Sequence, residues 1–139
     1  MAAKLTRVLF GFLAANLVAG LVLVLFVVTP SDIAADSDRM PGAGLLALSA
    51  ATQSAIFSAA FALLAAAFAE WQNLRGWLYY ALTGVAIAAA GLMVQYSGEA
   101  PSQTILNDYA VRAFMATGIL AGLTYWLIAG RRAGADRTD

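Results

Sequence analysis

Apolar residues in this chain are gathered into long runs that short polar stretches separate. The runs cover residues 8–28, 44–69, 77–96 and 109–130. Each has about 20 residues or more, which is the length that an α-helix needs to cross a hydrocarbon layer of roughly 30 Å. The pattern predicts an all-α membrane protein, with four transmembrane helices in an up-down-up-down bundle that forms a single transmembrane domain over residues 1–139.

The distribution of basic residues predicts which way the helices run. Lys4 and Arg7 precede the first run, and Arg131 and Arg132 follow the last one. The connection after the first run holds three aspartates and one basic residue, Arg39. Because short loops rich in Lys and Arg stay on the cytoplasmic side, we expect cytoplasmic N- and C-termini in a multi-pass protein of the bacterial inner (plasma) membrane. The first run exceeds the roughly 7–15 apolar residues of a signal peptide, so we expect it to be retained.

The composition excludes several kinds of chemistry. The chain is 62% hydrophobic and 12% charged, with zero formal net charge, no cysteine and no histidine. A nucleic-acid partner is not expected, because it would require a clustered basic surface. Thiolate nucleophiles and the common Cys and His metal sites are excluded, and the carboxylates all fall in loops, at the ends of runs or in the tail. We therefore expect no catalytic residue, no metal site and no cofactor, and we expect the protein not to be an enzyme.

Small residues occur at helical spacing on the third and fourth runs. Gly118 and Gly122 form a GxxxG pair, and Gly84, Ala88 and Gly91 fall on one face of the third run. Such residues let two helix backbones approach closely inside a membrane. These five positions are predicted to be helix-packing residues.

Polar residues inside the first two runs have two interpretations. Asn16 lies within the first run, and the outer half of the second run carries a polar stripe that consists of Ser49, Thr52, Gln53, Ser54 and Ser58. These side chains would line a pore or bind a ligand, or else the hydroxyl groups would bond to their own i−4 carbonyls and allow close packing. Gln53 is expected to have a partner on another helix, because a buried amide has several hydrogen-bonding groups to satisfy.

Aromatic and basic residues mark the expected ends of the spans, since tryptophan and arginine side chains suit the interface between lipid and water. The predicted interface anchors are Trp71, Trp77, Arg112, Trp126, Arg131 and Arg132. Arg112 follows Asp108 by four residues, which is the favourable order for an ion pair on a helix. Residues 131–139 are predicted to be a frayed cytoplasmic tail.

Two functions stay open on these grounds. The abundant small-residue faces favour a non-catalytic accessory or scaffold subunit that packs, within the lipid bilayer, against a larger membrane protein or against itself as a homo-oligomer. The alternative is a small oligomeric transporter or channel lined by Asn16 and the polar stripe. Small four-helix multidrug exporters are similar in size, but they depend on a glutamate in the first helix, where this chain has Asn16. The characteristic motif residues of small fluoride channels are not found.

The C-terminal sequence YWLIAGRRAG, at residues 125–134, resembles the end of small uncharacterised bacterial four-helix inner-membrane proteins. The resemblance covers only this segment. It implies a location in the membrane and not an activity.

Overall fold

The computed structural model of the chain describes residues 2–27, 39–97 and 108–134. It contains helices α1 (Ala2–Val27), α2 (Arg39–Gln72), α3 (Trp77–Ser97) and α4 (Asp108–Ile128), and a short 3-10 helix, Gly130–Arg132, follows α4. Within these three ranges no strand occurs. All four α-helices are long and apolar enough to cross a membrane. The prediction of an all-α, four-helix membrane protein is confirmed.

The limits of the helices follow the predicted spans, except that α1 and α2 begin earlier. The span expected to start at residue 44 starts at Arg39 instead. Pro41 is tolerated there, because the first turn of a helix does not use its backbone N–H groups. The acidic connection and the second predicted outer loop fall in residues 28–38 and 98–107, outside the described residues.

The helices pack side by side in the order α3, α4, α1, α2. We call each contact between neighbouring helices a seam. The α3–α4, α4–α1 and α1–α2 seams are extensive, whereas α2 and α3 make only a few contacts although a short loop joins them. The bundle therefore has one loose seam, between α2 and α3.

Glycine residues bring α3 and α4 into direct backbone contact. A methyl group added at Gly84 would overlap the carbonyl oxygen of Gly118, and one added at Gly122 would overlap the carbonyl oxygen of Tyr80. The GxxxG pair of α4 therefore faces α3 inside the chain. Small residues permit this approach between helices in lipid, where van der Waals packing drives association.

The predicted small-residue face of α3 is divided between two environments. Gly84 lies in the α3–α4 seam, but Ala88 and Gly91 line the interior of the bundle. A methyl group at Gly91 would lie 3.6 Å from the ring of Phe57, which is an ordinary contact. At Gly91, unlike Gly84, the helix backbone has room for a side chain.

The helix α1 makes close contacts on two sides, which its apolar sequence did not indicate. Against α2, a methyl group at Gly20 would come within 2.7 Å of the backbone nitrogen of Ala51. Against α4, a methyl group at Gly11 would lie 3.1 Å from the Cβ of Ala129 and 3.2 Å from the ring of Tyr125. These contacts fix α1 between α2 and α4.

An ion pair joins α1 to α2 at the end of the bundle where the N-terminus lies, which we call the basic end. The guanidinium of Arg7 is 3.3 Å from a carboxylate oxygen of Glu70, and both side chains are less than a third exposed. The other carboxylate oxygen accepts the backbone N–H of Gly134 over 2.8 Å. Glu70 therefore binds both α1, through Arg7, and the segment that follows α4, through Gly134.

The C-terminal segment, residues 130–134, folds back against this end. Arg75 donates to the carbonyl oxygen of Ala133 over 2.9 Å, and Arg7 donates to that of Arg132 over 3.2 Å. The prediction of a frayed tail over residues 131–139 therefore needs correction for residues 131–134, because hydrogen bonds to Arg7, Glu70 and Arg75 hold their backbone. Residues 135–139 lie outside the described residues.

The glycines of α3 supply a matched test of this packing. We expect Gly84→Ala to lower the free energy of unfolding by about 1–3 kcal/mol, because the added methyl group forces the α3 and α4 backbones apart. Gly91→Ala is expected to be neutral or to stabilise by up to about 1 kcal/mol, since alanine favours the helix and has room there. Circular dichroism during SDS titration of the purified protein measures both values, and equal effects of the two variants would contradict the α3–α4 contact.

Candidate functional site

The four helices surround a cavity of about 610 Å³. This volume lies within the roughly 300–1,000 Å³ that is typical of small-molecule sites. Much of the wall consists of small side chains that are too short to fill the space between the helices. Every helix contributes some of them, among them Ala19, Ala62, Ala66, Ala88 and Ala121.

A pair of polar side chains from α1 and α2 lies on the wall of the cavity. Asn16 and Ser58 are each only 7% exposed. Ser58 donates its hydroxyl to the Oδ1 of Asn16 over 3.2 Å, and the Nδ2 of Asn16 donates to the carbonyl oxygen of Phe12 over 2.8 Å. An amide nitrogen carries two N–H groups, so the pair keeps hydrogen-bonding capacity for a molecule in the cavity.

Two further amides and a hydroxyl line the cavity without a hydrogen-bond partner in the described part of the chain. Gln53 and Gln95 are exposed, Ser54 is half-buried, and none of the three forms a hydrogen bond with another described residue. The expected partner of Gln53 on another helix is thus not found in the described part of the chain. A polar group without a partner is costly away from water, which favours contact of these groups with water or with a polar ligand.

Two further polar groups of the wall are satisfied locally. Thr83 and Thr117 donate their hydroxyls to the carbonyl oxygens of Tyr79 and Ala113, each four residues earlier on the same helix. None of the described residues that line the cavity carries a charge. The site therefore suits an uncharged molecule, because a charge buried there would have no counter-charge.

The predicted polar stripe of α2 is divided between two sides of the helix. Gln53, Ser54 and Ser58 line the cavity, whereas Ser49 and Thr52 are exposed and do not. Thr52 donates its hydroxyl to the carbonyl oxygen of Leu48 over 2.8 Å, which is the local arrangement that allows a hydroxyl to face lipid.

At the basic end, aromatic rings close the cavity. Tyr80 and Tyr125 line its floor with ring centroids 5.6 Å apart. Tyr80 also donates its hydroxyl to the carbonyl oxygen of Leu74 over 3.0 Å, which ties it to the α2–α3 loop. The Arg7–Glu70 pair and the C-terminal segment lie at this same end, so they reinforce the closure.

Aromatic side chains bridge the loose α2–α3 seam. Tyr79 donates its hydroxyl to the carbonyl oxygen of Ala65 over 2.8 Å and stacks on Phe68 with a centroid distance of 6.3 Å. Nearer the middle of the helices, the ring of Phe57 lies over Gly91. Phe57 and Gly91 both line the cavity, so this contact between α2 and α3 forms part of its wall.

The predicted interface anchors lie near the helix ends and away from the cavity. Trp126 donates its indole N–H to the carbonyl oxygen of Arg75 over 2.8 Å, and the guanidinium of Arg131 is 5.9 Å from the Trp126 ring. Arg112 pairs with Asp108 at the opposite end, where both are exposed. The other predicted anchors, Trp71, Trp77 and Arg132, are also exposed.

Sequence reasoning missed several residues of the site. Phe57 and Tyr79 belong to ordinary apolar and interfacial sequence, and nothing in the motifs above predicts the link between Arg7 and Glu70. A signal for that link was available, because Arg7 precedes the first run and Glu70 follows the second, which places both on the same side of the membrane. No comparable signal marked Phe57.

Comparison of the chain with protein-family models, with curated proteins and with solved structures finds no match. The chemistry of the site therefore has to be inferred from its own groups. They supply hydrogen-bond donors and acceptors in an uncharged, largely apolar space.

Loss of the Glu70 carboxylate is expected to release the C-terminal segment. A hydrogen bond to a charged group contributes about 1.5–3 kcal/mol, so Glu70→Ala should raise the open population, and the rate of trypsin cleavage after Arg131 and Arg132, by roughly tenfold or more. Asp108→Ala is the control, since it removes the carboxylate of the exposed pair with Arg112. Mass spectrometry of the timed digest measures the rates. Cleavage at the same rate in both variants and the parent protein would contradict the docking.

Proposed function

We propose that the protein binds a small uncharged molecule in its central cavity and belongs to the transport class of membrane proteins, without catalysing a reaction. The observation that carries this proposal is a cavity of about 610 Å³ lined by the Asn16–Ser58 pair and by amides that lack partners in the described chain. Ligand sites of this kind are mostly apolar with a few placed polar groups.

The lining supports a neutral ligand with at least one hydrogen-bonding group. Polar groups occur at two places, at Asn16 and Ser58 and again at Gln53 and Gln95, with small apolar side chains between and around them. A fully apolar ligand would leave these groups unsatisfied, and an ion would find no counter-charge among the described lining residues. An alcohol, amide or ketone attached to a hydrocarbon skeleton meets both conditions.

The geometry gives less support to the accessory-subunit interpretation. That interpretation depends on small-residue faces that are left over for a partner. In the described helices, Gly118 and Gly122 contact α3, and Gly20 contacts α2, so these faces are used within the chain. The large exposed side chains of α2, such as Ile56 and Leu64, are what contact with lipid requires.

The polar groups of the cavity also favour binding over catalysis. The hydroxyl of Ser58 donates to an amide oxygen, and no carboxylate or basic side chain lines the described cavity to act as its general base. A serine hydroxyl without such a base is a weak nucleophile. Binding and release of an unchanged molecule need no such group.

Filling the cavity tests the proposal. The probe is octanol that carries a photoreactive diazirine, which is neutral and has one hydroxyl group. In nanodiscs, we expect labelling of peptides that contain Phe57, Tyr80 and Tyr125, and we expect excess unlabelled octanol to suppress it. Ala88→Phe should abolish the suppressible labelling because the new ring occupies the cavity. Ala86→Phe should retain it, since Ala86 is exposed on the same helix and does not line the cavity.

The anionic counterpart of the probe is diazirine-bearing octanoate at a pH at which it is ionised. We expect it to give no suppressible labelling, because the cavity lacks a counter-charge. Labelling that excess octanol does not suppress, or that is equal in Ala88→Phe and Ala86→Phe, would show that the probe reaches the protein only from the surrounding lipid and would overturn the proposal.

A further inference from the structure

We infer that the ligand of the central cavity is a neutral amphiphile dissolved in the bilayer, and that it enters sideways from the lipid through the α2–α3 seam. Phe57 is the side chain that it displaces on entry. This inference rests on the proposed binding function and adds to it the class of ligand and the route.

Interactions at the basic end oppose entry of a molecule along the bundle axis. The Tyr80–Tyr125 ring pair forms the floor of the cavity, and the Arg7–Glu70 ion pair ties α1 to α2 at the same end. Glu70 also binds the backbone of Gly134. Passage along the bundle axis at this end would require several of these interactions to break together, including a sheltered ion pair.

The seams differ in how closely the two helix backbones approach each other. In the α3–α4 and α1–α2 seams, Gly84 and Gly20 place one helix backbone directly against another, so a molecule passes only if whole helices separate. The helices α2 and α3 make only a few contacts. At Gly91 the side chain that α2 contributes is Phe57, whose ring lies 3.6 Å from where a methyl group would be, with the ring of Phe114 from α4 at 3.9 Å. Rotation of a side chain is far faster than separation of packed helices. The α2–α3 seam is therefore the route of least resistance.

Both polar and apolar side chains lie along this route. Gln53 and Gln95 are exposed lining residues on the two helices that flank the seam, and the buried Asn16–Ser58 pair lies on the α1–α2 side of the cavity. Apolar side chains, many of them alanine, make up most of the rest of the lining. The polar group of a neutral amphiphile can form hydrogen bonds with these side chains, and its hydrocarbon part can contact the apolar lining. Such a molecule concentrates in the bilayer, which borders the α2–α3 seam.

The absence of cysteine from the chain allows the seam to be locked selectively. Phe57→Cys and Gly91→Cys are combined, and the two thiols are joined through disulfides by a bis-thiosulfonate reagent about as long as the phenyl ring that it replaces. In nanodiscs that contain the diazirine-bearing octanol, we expect the lock to slow suppressible labelling at Tyr80 and Tyr125 at least tenfold. Reduction of the disulfides should restore the rate.

A second lock at another seam is the matched control. Gly11→Cys and Ala129→Cys would place two thiols where the Cβ atoms are 3.1 Å apart, which lets a disulfide close the α1–α4 seam with a small adjustment. Because a Cβ at position 11 lies 3.2 Å from the ring of Tyr125, labelling of this variant is measured at Tyr80, where we expect the α1–α4 lock to leave the rate unchanged between its oxidised and reduced forms. The two locks together separate an effect on the route from a general effect of cross-linking.

The outcomes distinguish the inference from the function on which it rests. Suppressible labelling that proceeds at the same rate with the α2–α3 seam locked would overturn sideways entry while the binding function stands, and would indicate entry from water. Absence of suppressible labelling in the unlocked protein and in the parent chain would overturn the binding function itself. Equal slowing by both locks would overturn the assignment of the route to the α2–α3 seam.

Discussion

The direct contact of backbones at Gly84 and Gly118 determines how the rest of the bundle is arranged. Once α3 and α4 touch along this line, α1 packs on the far side of α4 and α2 packs on the far side of α1. A glycine or an alanine lies at each of these contacts, so the helices approach each other closely at three seams. At the fourth seam no described glycine brings the α2 and α3 backbones together, and aromatic side chains span it, namely Tyr79 with Phe68 and Phe57 with Gly91.

The cavity follows from this arrangement and from the solvent that surrounds the helices. In water, alanine-lined space between helices would be lost to hydrophobic collapse. In a bilayer the lipid is as apolar as the side chains, so helices associate where their surfaces fit and not wherever apolar area is exposed. Tight fit at three seams therefore coexists with a loose fourth seam. We propose that the polar groups of Asn16, Gln53 and Gln95 give this space a preference for a ligand with a polar group, since lipid tails leave those groups without hydrogen-bond partners.

The sequence predicted the architecture because hydrophobic run length is a direct consequence of membrane thickness. It predicted the GxxxG contact at Gly118 because that spacing has one common use in lipid. It did not predict the close contacts of Gly11 and Gly20 in the first run, because nothing in that run indicates which face of the helix meets a neighbour. For the same reason it grouped Ala88 and Gly91 with Gly84: helical periodicity identifies residues that share a face but does not say what that face contacts.

The polar residues show the same limit of sequence analysis, because periodicity does not say which neighbour a side chain contacts. That Asn16 and Ser58 would form the cross-helix pair, and Gln53 would not, depends on the rotation of α1 against α2, which Gly20 sets. The docking of residues 130–134 was missed because it uses backbone groups, which every sequence contains. The function itself was open between a scaffold and a transporter, and our proposal of the second rests on the cavity with its polar lining and on the use of the small-residue faces within the chain.

The measurement that tests the central claim most directly is an experimental structure of the full chain in lipid nanodiscs, obtained by electron cryomicroscopy with a rigid binding protein to add mass. The account predicts that α2 stays apart from α3 at the level of Gln53 and Gln95, with density that is not protein inside the cavity next to Asn16 and Ser58. A map in which α2 packs against α3 along its length as tightly as α3 packs against α4, with no space between the four helices, would contradict it.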